Sequence, residues 1–344
     1  MRIVIVGATG NVGTSLVESL VEDRRVDSIV AIERRVPTEW QPARTEFRAA
    51  DITRDNLVPF FDGADAVVHL AWLMQPTRKP EYLWHVNVEG SQRVFDAVAA
   101  AEVPTLVYAS SIGAYSPAPN QWVDESWPTH GFPGAGYSRE KAYVERLLDT
   151  FEARHPDRRV VRMRPAFIFK RQSASEQRRL MGGPLLPGKV MQPGRLPVLP
   201  VPNGLKLQAV HSSDAALAYR LALLTDVRGA FNIAAEPVID AEILGQVFEA
   251  RPVPMPALGA RTFMMAAWRA HLSPTDPALL DLVLQLPMLD STRAHRELGW
   301  QPQYSGVDAL RELLGGMGEG AGMQTPPLEP DSPAKRIEEV VGPS

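Results

Sequence analysis

The chain opens MRIVIVGATGNVG (residues 1–13), and this stretch decides the fold. Residues 3–6 are apolar on both faces, the mark of a strand buried inside a parallel sheet. Glycine then recurs at every third position, Gly7, Gly10 and Gly13, and Val12, Leu16, Val17 and Leu20 follow at helical spacing. A strand, a glycine turn and a helix together make a site for phosphate. Bare backbone can approach a pyrophosphate, and the helix N-terminus presents free N–H groups and partial positive charge. Glu33 stands twenty residues beyond Gly13, at the end of the next buried run, where it can accept bonds from the adenosine ribose hydroxyls. Its charge would repel a 2′-phosphate, which favours NAD, while Arg34 and Arg35 directly after it leave NADP open.

The rest of the chain repeats the alternation. Further strands read at 28–32, 46–49, 64–70, 103–111 and 160–168, with helical patterns at 84–101 and 137–153. Strands alternating with helices indicate an α/β doubly wound parallel sheet, a Rossmann fold, over residues 1–170. Residues 171–206 are rich in Pro, Gly and Arg, an excursion that reads as a lid or pocket wall. A helix capped at Ser212 or Ser213, the short strand GAFNIA and several helical patterns follow. Residues 171–314 therefore read as a smaller, mostly helical substrate lobe, with some return of chain to the main domain. Residues 315–344 lack a core pattern and read as a mobile tail.

Composition narrows the chemistry. Of 344 residues 45% are apolar and 22% charged, as in a globular protein with a substantial core. A net charge of -4 gives no reason to expect nucleic acid or an acidic membrane surface. No stretch approaches the ~20 apolar residues of a membrane span, and the N-terminal run is too short for a signal peptide, so the expected location is cytoplasmic. There is no cysteine, which removes disulfides, thiolate metal sites and a cysteine nucleophile. No His/Asp/Glu cluster has metal-ligand spacing, so no metal is expected.

The second informative stretch is YSREK (137–141). Four residues apart on a helix, Tyr137 and Lys141 share one face. An ammonium about 4 Å from a phenol contributes about 4 kcal/mol at an effective dielectric of ~20. That would lower the phenol pKa by as much as about 3 from its usual ~10. Such a tyrosine can trade a proton with an alcohol or carbonyl near neutral pH. LVYASSIGAY ends another buried strand with two hydroxyls, Ser110 and Ser111, at the edge where open α/β sheets bind ligands.

On these residues the chain resembles the extended short-chain dehydrogenase/reductases, in their NAD-dependent epimerase/dehydratase branch. GATGNVG (7–13), DI (51–52), HLA (69–71), NVEGS (87–91), YASSIGAY (108–115), YSREK (137–141), RPAFIF (164–169), HSSD (211–214), FNIA (231–234) and ELGW (297–300) carry the likeness. The resemblance implies that Tyr137 is the general acid/base. Lys141 would lower its pKa and hold the nicotinamide ribose. Ser111, four before Tyr115, would hydrogen-bond the substrate oxygen. Gly7, Gly10 and Gly13, with Thr9, Asn11 and Val12 between them, would hold the pyrophosphate, and Asp51 and Ile52 would contact adenine. Leu70, Ala71 and Trp72 would line the cofactor cleft, Asn87 would support the site from its helix, and Pro165 would approach the nicotinamide amide. His69 and His211 read as structural, and the FMMAAWRAHL run (263–272) as core.

The resemblance also implies a homodimer through the helices carrying Asn87 and Tyr137. Two departures bear on substrate. Lys170 stands where the family usually has glycine, which would alter the substrate entrance. The stretch 272–292 carries no arginine placed to grip a diphosphate, which leaves Arg178, Arg179 or Arg195 to substitute. The expected function is an oxidoreductase acting at a carbinol or carbonyl carbon of an alcohol, ketone or sugar. The alternatives are a nucleotide-sugar epimerase or dehydratase with tightly held NAD, and a cofactor-binding regulator without activity.

Overall fold

Seven strands form one parallel sheet: β1 (Arg2–Val6), β2 (Ser28–Glu33), β3 (Thr45–Ala49), β4 (Ala66–His69), β5 (Thr105–Ala109), β6 (Arg159–Pro165) and β7 (Gly229–Ile233). Their spatial order is β3-β2-β1-β4-β5-β6-β7. The computed structural model describes residues 1–74, 79–181, 188–270 and 275–332. Alternation along β1 sends Ile3 and Ile5 into one core and Val4 and Val6 into the other, so helices must cover both faces. On the first face lie α1 (Asn11–Val21) and, later in the chain, the helix at Ser212–Leu224. On the second lie α2 (Gly90–Ala100) and α3 (Gly136–Arg154). Strand order reverses between β1 and β4, so the crevice opens above the C-terminal ends of those two strands.

Later in the chain come α4 (Ala174–Met181), α5 (Ser212–Leu224), α6 (Ala241–Phe248), α7 (Ala257–Arg269), α8 (Ala278–Val283) and α9 (Gly306–Glu319). Of these, α4, α6 and α9 share a core with a three-stranded sheet made by Phe167–Phe169, Leu207–His211 and Ala235–Ile239. The run read as one strand at 160–168 is therefore two. Pro165 has no N–H for the ladder, and beyond it the chain leaves the main sheet for the small one. GAFNIA, read as part of the lobe, is the seventh strand of the main sheet. Motifs far apart in sequence lock this return. Trp300 of ELGW is fully buried and its Nε1 donates to the Asp214 carbonyl of HSSD (2.8 Å). The Asp214 carboxylate in turn accepts the Gln303 and Tyr304 amides.

Three readings need correction. The helix expected at 84–101 begins at Pro80–Trp84, passes through a π turn at His85–Glu89 and only then becomes α2. That extra residue per turn sits where Asn87 is presented. The FMMAAWRAHL run is not core: Phe263 is 75% exposed and Ala260 is the one residue of α7 that is buried. One stripe, Ala257, Ala260, Met264 and Trp268, is turned inward and only partly covered, while Phe263 stands outside it. The final residues 271–272 of that run lie outside the described residues.

The expected tail also folds in part. α9 runs to Glu319, and Leu328 beyond it is fully buried. Residues 333–344 lie outside the described residues, as does 182–187 of the excursion. Replacing Trp300 with alanine should lower the unfolding free energy by about 3–5 kcal/mol in urea denaturation; a loss under about 1 kcal/mol would contradict its place as the lock between ELGW and α5.

Candidate active site

The three glycines do three different jobs. Gly7 turns the chain with φ of 94°, and a Cβ there would lie 2.5 Å from the Ala71 nitrogen. Leu70 and Ala71 both donate their amides to the Val6 carbonyl at 2.8 Å, which draws the end of β4 against the glycine turn. Gly13 lets α1 pack on that turn, since a Cβ would lie 2.3 Å from the Gly7 oxygen. Gly10 differs. The nearest atom to its added Cβ is 4.0 Å away, so the protein's own packing does not require a bare backbone there. Thr9 is buried and donates its amide to Glu33 Oε1 (2.7 Å), which brings the half-buried carboxylate to the rim of the turn. Burial pushes the Glu33 carboxyl up to about 7 against the pull of the Thr9 amide.

Asp51 follows β3 and caps its own turn through Thr53, while Ile52 packs under Gly90 of α2. Arg34 and Arg35 are exposed. Asn11 donates to the Ile168 carbonyl, yet its Oδ1 is buried with no partner among the described residues. Trp72 Nε1 is in the same condition. Orphaned polar atoms at the glycine turn and beside Lys141, with open space over Gly10, fit a long ligand lying along the crevice.

Tyr137, Lys141 and Glu145 recur every fourth residue on α3 and form one stripe. Ser111 caps the short turn at Ile112–Ala114 by accepting the Gly113 amide, and Gly113 is pinned against the Tyr137 ring. A Cβ on Gly113 would lie 2.7 Å from that ring. Trp72 meets the Tyr137 ring edge-on at 6.0 Å. Asn87 holds this corner: its side chain brackets Leu73, accepting its amide (2.7 Å) and donating to its carbonyl (3.0 Å), and also donates to Glu140 (2.8 Å). Pro165 is buried at the end of β6, directly after Arg164.

The lysine does not do what the spacing suggests. Lys141 Nζ donates to the Ala109 carbonyl (2.8 Å) and lies 3.4 Å over the Trp72 ring, 6.0 Å from the Tyr137 ring centre. Burial therefore governs both groups. It pushes the Tyr137 phenol up to about 12, with Ser111 pulling the other way, and it lowers the Lys141 pKa against the attraction of Glu145 and Glu140. The expected lowering of the phenol is absent in this state because the ammonium is turned onto indole and carbonyl.

Lys170 also departs from expectation. It is buried under α1, where it donates to Thr14 Oγ1 (2.6 Å) and Ser15 Oγ (3.0 Å). Burial brings its pKa down to about 8. His69 is buried on Ser91 and its pKa falls to about 3, so it is neutral. His211 bonds Ser213 and Glu312.

Sequence reading overlooked the charged block behind these residues. The Glu145 carboxylate, fully buried, accepts Arg164 Nε (2.9 Å) and Nη2 (3.0 Å), Arg162 Nη1 (2.8 Å) and Ser110 Oγ (2.6 Å). Arg164 reaches on to Tyr115 Oη (3.0 Å), which donates to Asn232 (2.6 Å). Burial alone would raise the Glu145 pKa; Arg164, then Arg162 and Ser110, outweigh it and hold it at about 2. The available signal was Arg162 and Arg164 at a period of two in a strand whose remaining interior residues are apolar, which demands a buried carboxylate on that face.

Two outcomes test this geometry. Gly10→Ala should keep the wild-type melting temperature and weaken NAD binding at least about tenfold by calorimetry, whereas Gly13→Ala should cost about 3 kcal/mol of stability. Equal stability of the two variants would refute the division of labour. Glu145→Ala should cost about 3–5 kcal/mol, because it leaves guanidinium groups buried without their counter-charge. Since the folded pKa of about 2 lies below the ordinary 4.5, the carboxylate's contribution is complete above pH 4.5 and is lost as pH falls toward 2. Urea titrations across that range should therefore show a shallower acid limb for Glu145→Gln.

Comparison with known proteins agrees with this fold. A solved UDP-glucuronic acid 4-epimerase from Bacillus cereus, in complex with UDP-glucuronic acid and NAD, superposes with a TM-score of 0.67 at 16% identity, covering 93% of this chain and 99% of that one. UDP-glucose 4-epimerase from Thermotoga maritima with UDP-glucose gives 0.69 at 17%, with the same coverage. At these identities the likeness establishes the fold. The Mycobacterium tuberculosis protein Rv0501 is 24% identical over 330 residues, 92% of this chain and 84% of its own. L-arabinose 1-dehydrogenase (NAD(P)(+)) of Haloferax volcanii is 36% identical over 111 residues, 32% of this chain and 41% of its own. The sequence profile of the NAD dependent epimerase/dehydratase family matches residues 3–234. The chain belongs to that family of enzymes, whose cofactor is NAD.

Proposed function

We propose that this protein is an oxidoreductase that moves hydride between NAD(P) and a carbinol or carbonyl carbon, with Tyr137 handling the proton. The observation that carries the reading is the meeting of Ser111, Tyr137 and Lys141 beside Trp72 at the mouth of the crevice. Bound NAD supplies or accepts the hydride. Gly10 and the first turn of α1 hold the pyrophosphate, and Glu33 the adenosine ribose. Ser111 donates to the substrate oxygen and Tyr137 Oη gives or takes its proton. Lys141, released from Ala109 and Trp72 by a ribose hydroxyl, brings its charge nearer the phenol. With the phenol near 12 before that, Tyr137 starts as a proton donor, suited to carbonyl reduction.

The surroundings support a substrate of low polarity. The Tyr137 ring belongs to an apolar cluster with Ile112, Ala166 and Leu282, joined by the half-exposed Phe132, Phe167 and Leu279. The leucines come from α8, in the stretch that carries no diphosphate-gripping arginine. Two arginines that could have substituted are engaged elsewhere: Arg178 pairs with Asp331 and Arg179 bonds the Pro327 and Glu329 carbonyls. The second reading, a nucleotide-sugar epimerase or dehydratase, draws on the UDP-sugar complexes among the structural neighbours. A homodimer through the helices of Asn87 and Tyr137 is part of the proposal.

Tyr137→Phe should retain NAD binding while turnover of an aryl ketone with NADH falls about 10²–10⁴-fold. Unchanged turnover would refute the role. Interconversion of UDP-glucose and UDP-galactose without net NADH, abolished by the same substitution, would instead establish the second reading. Alcohol oxidation should accelerate as pH rises toward the phenol pKa, since it needs the deprotonated form.

A further inference from the structure

Beyond α9 the chain turns at Gly320, whose φ is 67°, and residues 320–332 come back across α4. Ser175 donates to the Gly320 and Ala321 carbonyls and accepts the Asp331 amide. Arg178 Nε and Asp331 Oδ2 pair at 2.9 Å with side chains 1% and 4% exposed. Within the segment, Met323 N–H bonds the Leu328 carbonyl (2.7 Å) and Leu328 N–H the Thr325 carbonyl (3.0 Å), which closes a small loop round the buried Leu328. At its tip is Thr325, 1% exposed, whose Oγ1 donates to the Thr9 carbonyl at 2.9 Å across 316 residues.

Thr9 lies inside the glycine turn, and its amide is already taken by Glu33 (2.7 Å). Its carbonyl belongs to the same planar unit as the Gly10 N–H. In a trans peptide the two point in opposite directions. A hydroxyl that fixes the carbonyl toward the C-terminal segment therefore turns the Gly10 N–H away from it, and Gly10 is the glycine whose surface the protein leaves open. Backbone N–H groups held in one direction are what an anionic diphosphate selects.

We infer that the C-terminal segment is a clasp on the cofactor loop, and that Thr325 is a positioning residue for the dinucleotide: it orients the Thr9–Gly10 peptide for the pyrophosphate. Arg178, Ser175 and Asp331 anchor the clasp on α4, so the excursion and the C-terminus act together on the loop. The inference rests on NAD lying over Gly10 and is independent of the substrate.

Thr325→Val keeps the shape and removes the donor. Its Kd for NAD, measured by calorimetry without substrate, should rise about tenfold, as expected for one lost hydrogen bond. Thr325→Ser should restore the wild-type value. Coupling is reciprocal, so NAD should slow amide hydrogen exchange of residues 320–332 in the unmodified protein. This second measurement needs no variant and holds even if Thr325→Val folds poorly. Wild-type NAD affinity in a folded Thr325→Val, or exchange in 320–332 that NAD leaves unchanged, would overturn the clasp.

Discussion

One buried carboxylate organises the reactive end of this protein. Glu145 is on the stripe of α3 that carries Tyr137 and Lys141, and its four bonds reach β6 through Arg162 and Arg164 and the end of β5 through Ser110. Three residues of the candidate site thereby stand beside groups that Glu145 fixes. Ser111 follows Ser110, Pro165 follows Arg164, and Lys141 is one helical turn before the carboxylate. A charge so deeply buried is tolerated only because guanidinium groups and a hydroxyl satisfy it completely.

The cofactor end is organised by backbone rather than by charge. Gly7 and Gly13 remove side chains so that β1, β4 and α1 can approach each other, while Gly10 keeps a surface bare. Thr9 is held by its amide from Glu33 and by its carbonyl from Thr325. The first partner ends β2 and the second comes from beyond α9, so the turn gathers both ends of the chain. Lys170 approaches the same helix from a third direction, tying Thr14 and Ser15 to the start of the lobe. Main domain and lobe thus share the cofactor loop as a common support, which makes loop order and lobe position interdependent.

Lys141 illustrates how burial can override helical spacing. Its ammonium is held on the Ala109 carbonyl and the Trp72 indole and not on the phenol. The phenol is then governed by burial, and it retains its proton. Ligand hydroxyls are the natural competitors for that ammonium, so the electrostatics of the pair belong to the complex rather than to the free protein.

Local pattern was enough to determine the parallel sheet and the glycine turn, and to put Tyr137 and Lys141 on one face of a helix. Each of these is encoded by short-range spacing: alternation in strands, a four-residue repeat in a helix, glycine where backbone must approach backbone. Three-dimensional packing decided the rest. It placed GAFNIA in the main sheet, left Phe263 in solvent, sent Lys170 under α1 and brought residues 320–332 onto the glycine turn. The pairings among these outcomes join residues 68 to 316 positions apart, and no short window along the chain contains both members of such a pair. Glu145 lies between the two cases. Its arginines announce at β6 that a buried carboxylate must exist, but only the packing of α3 against the sheet says which one answers, because the cost of an unpaired charge is settled in space and not along the chain.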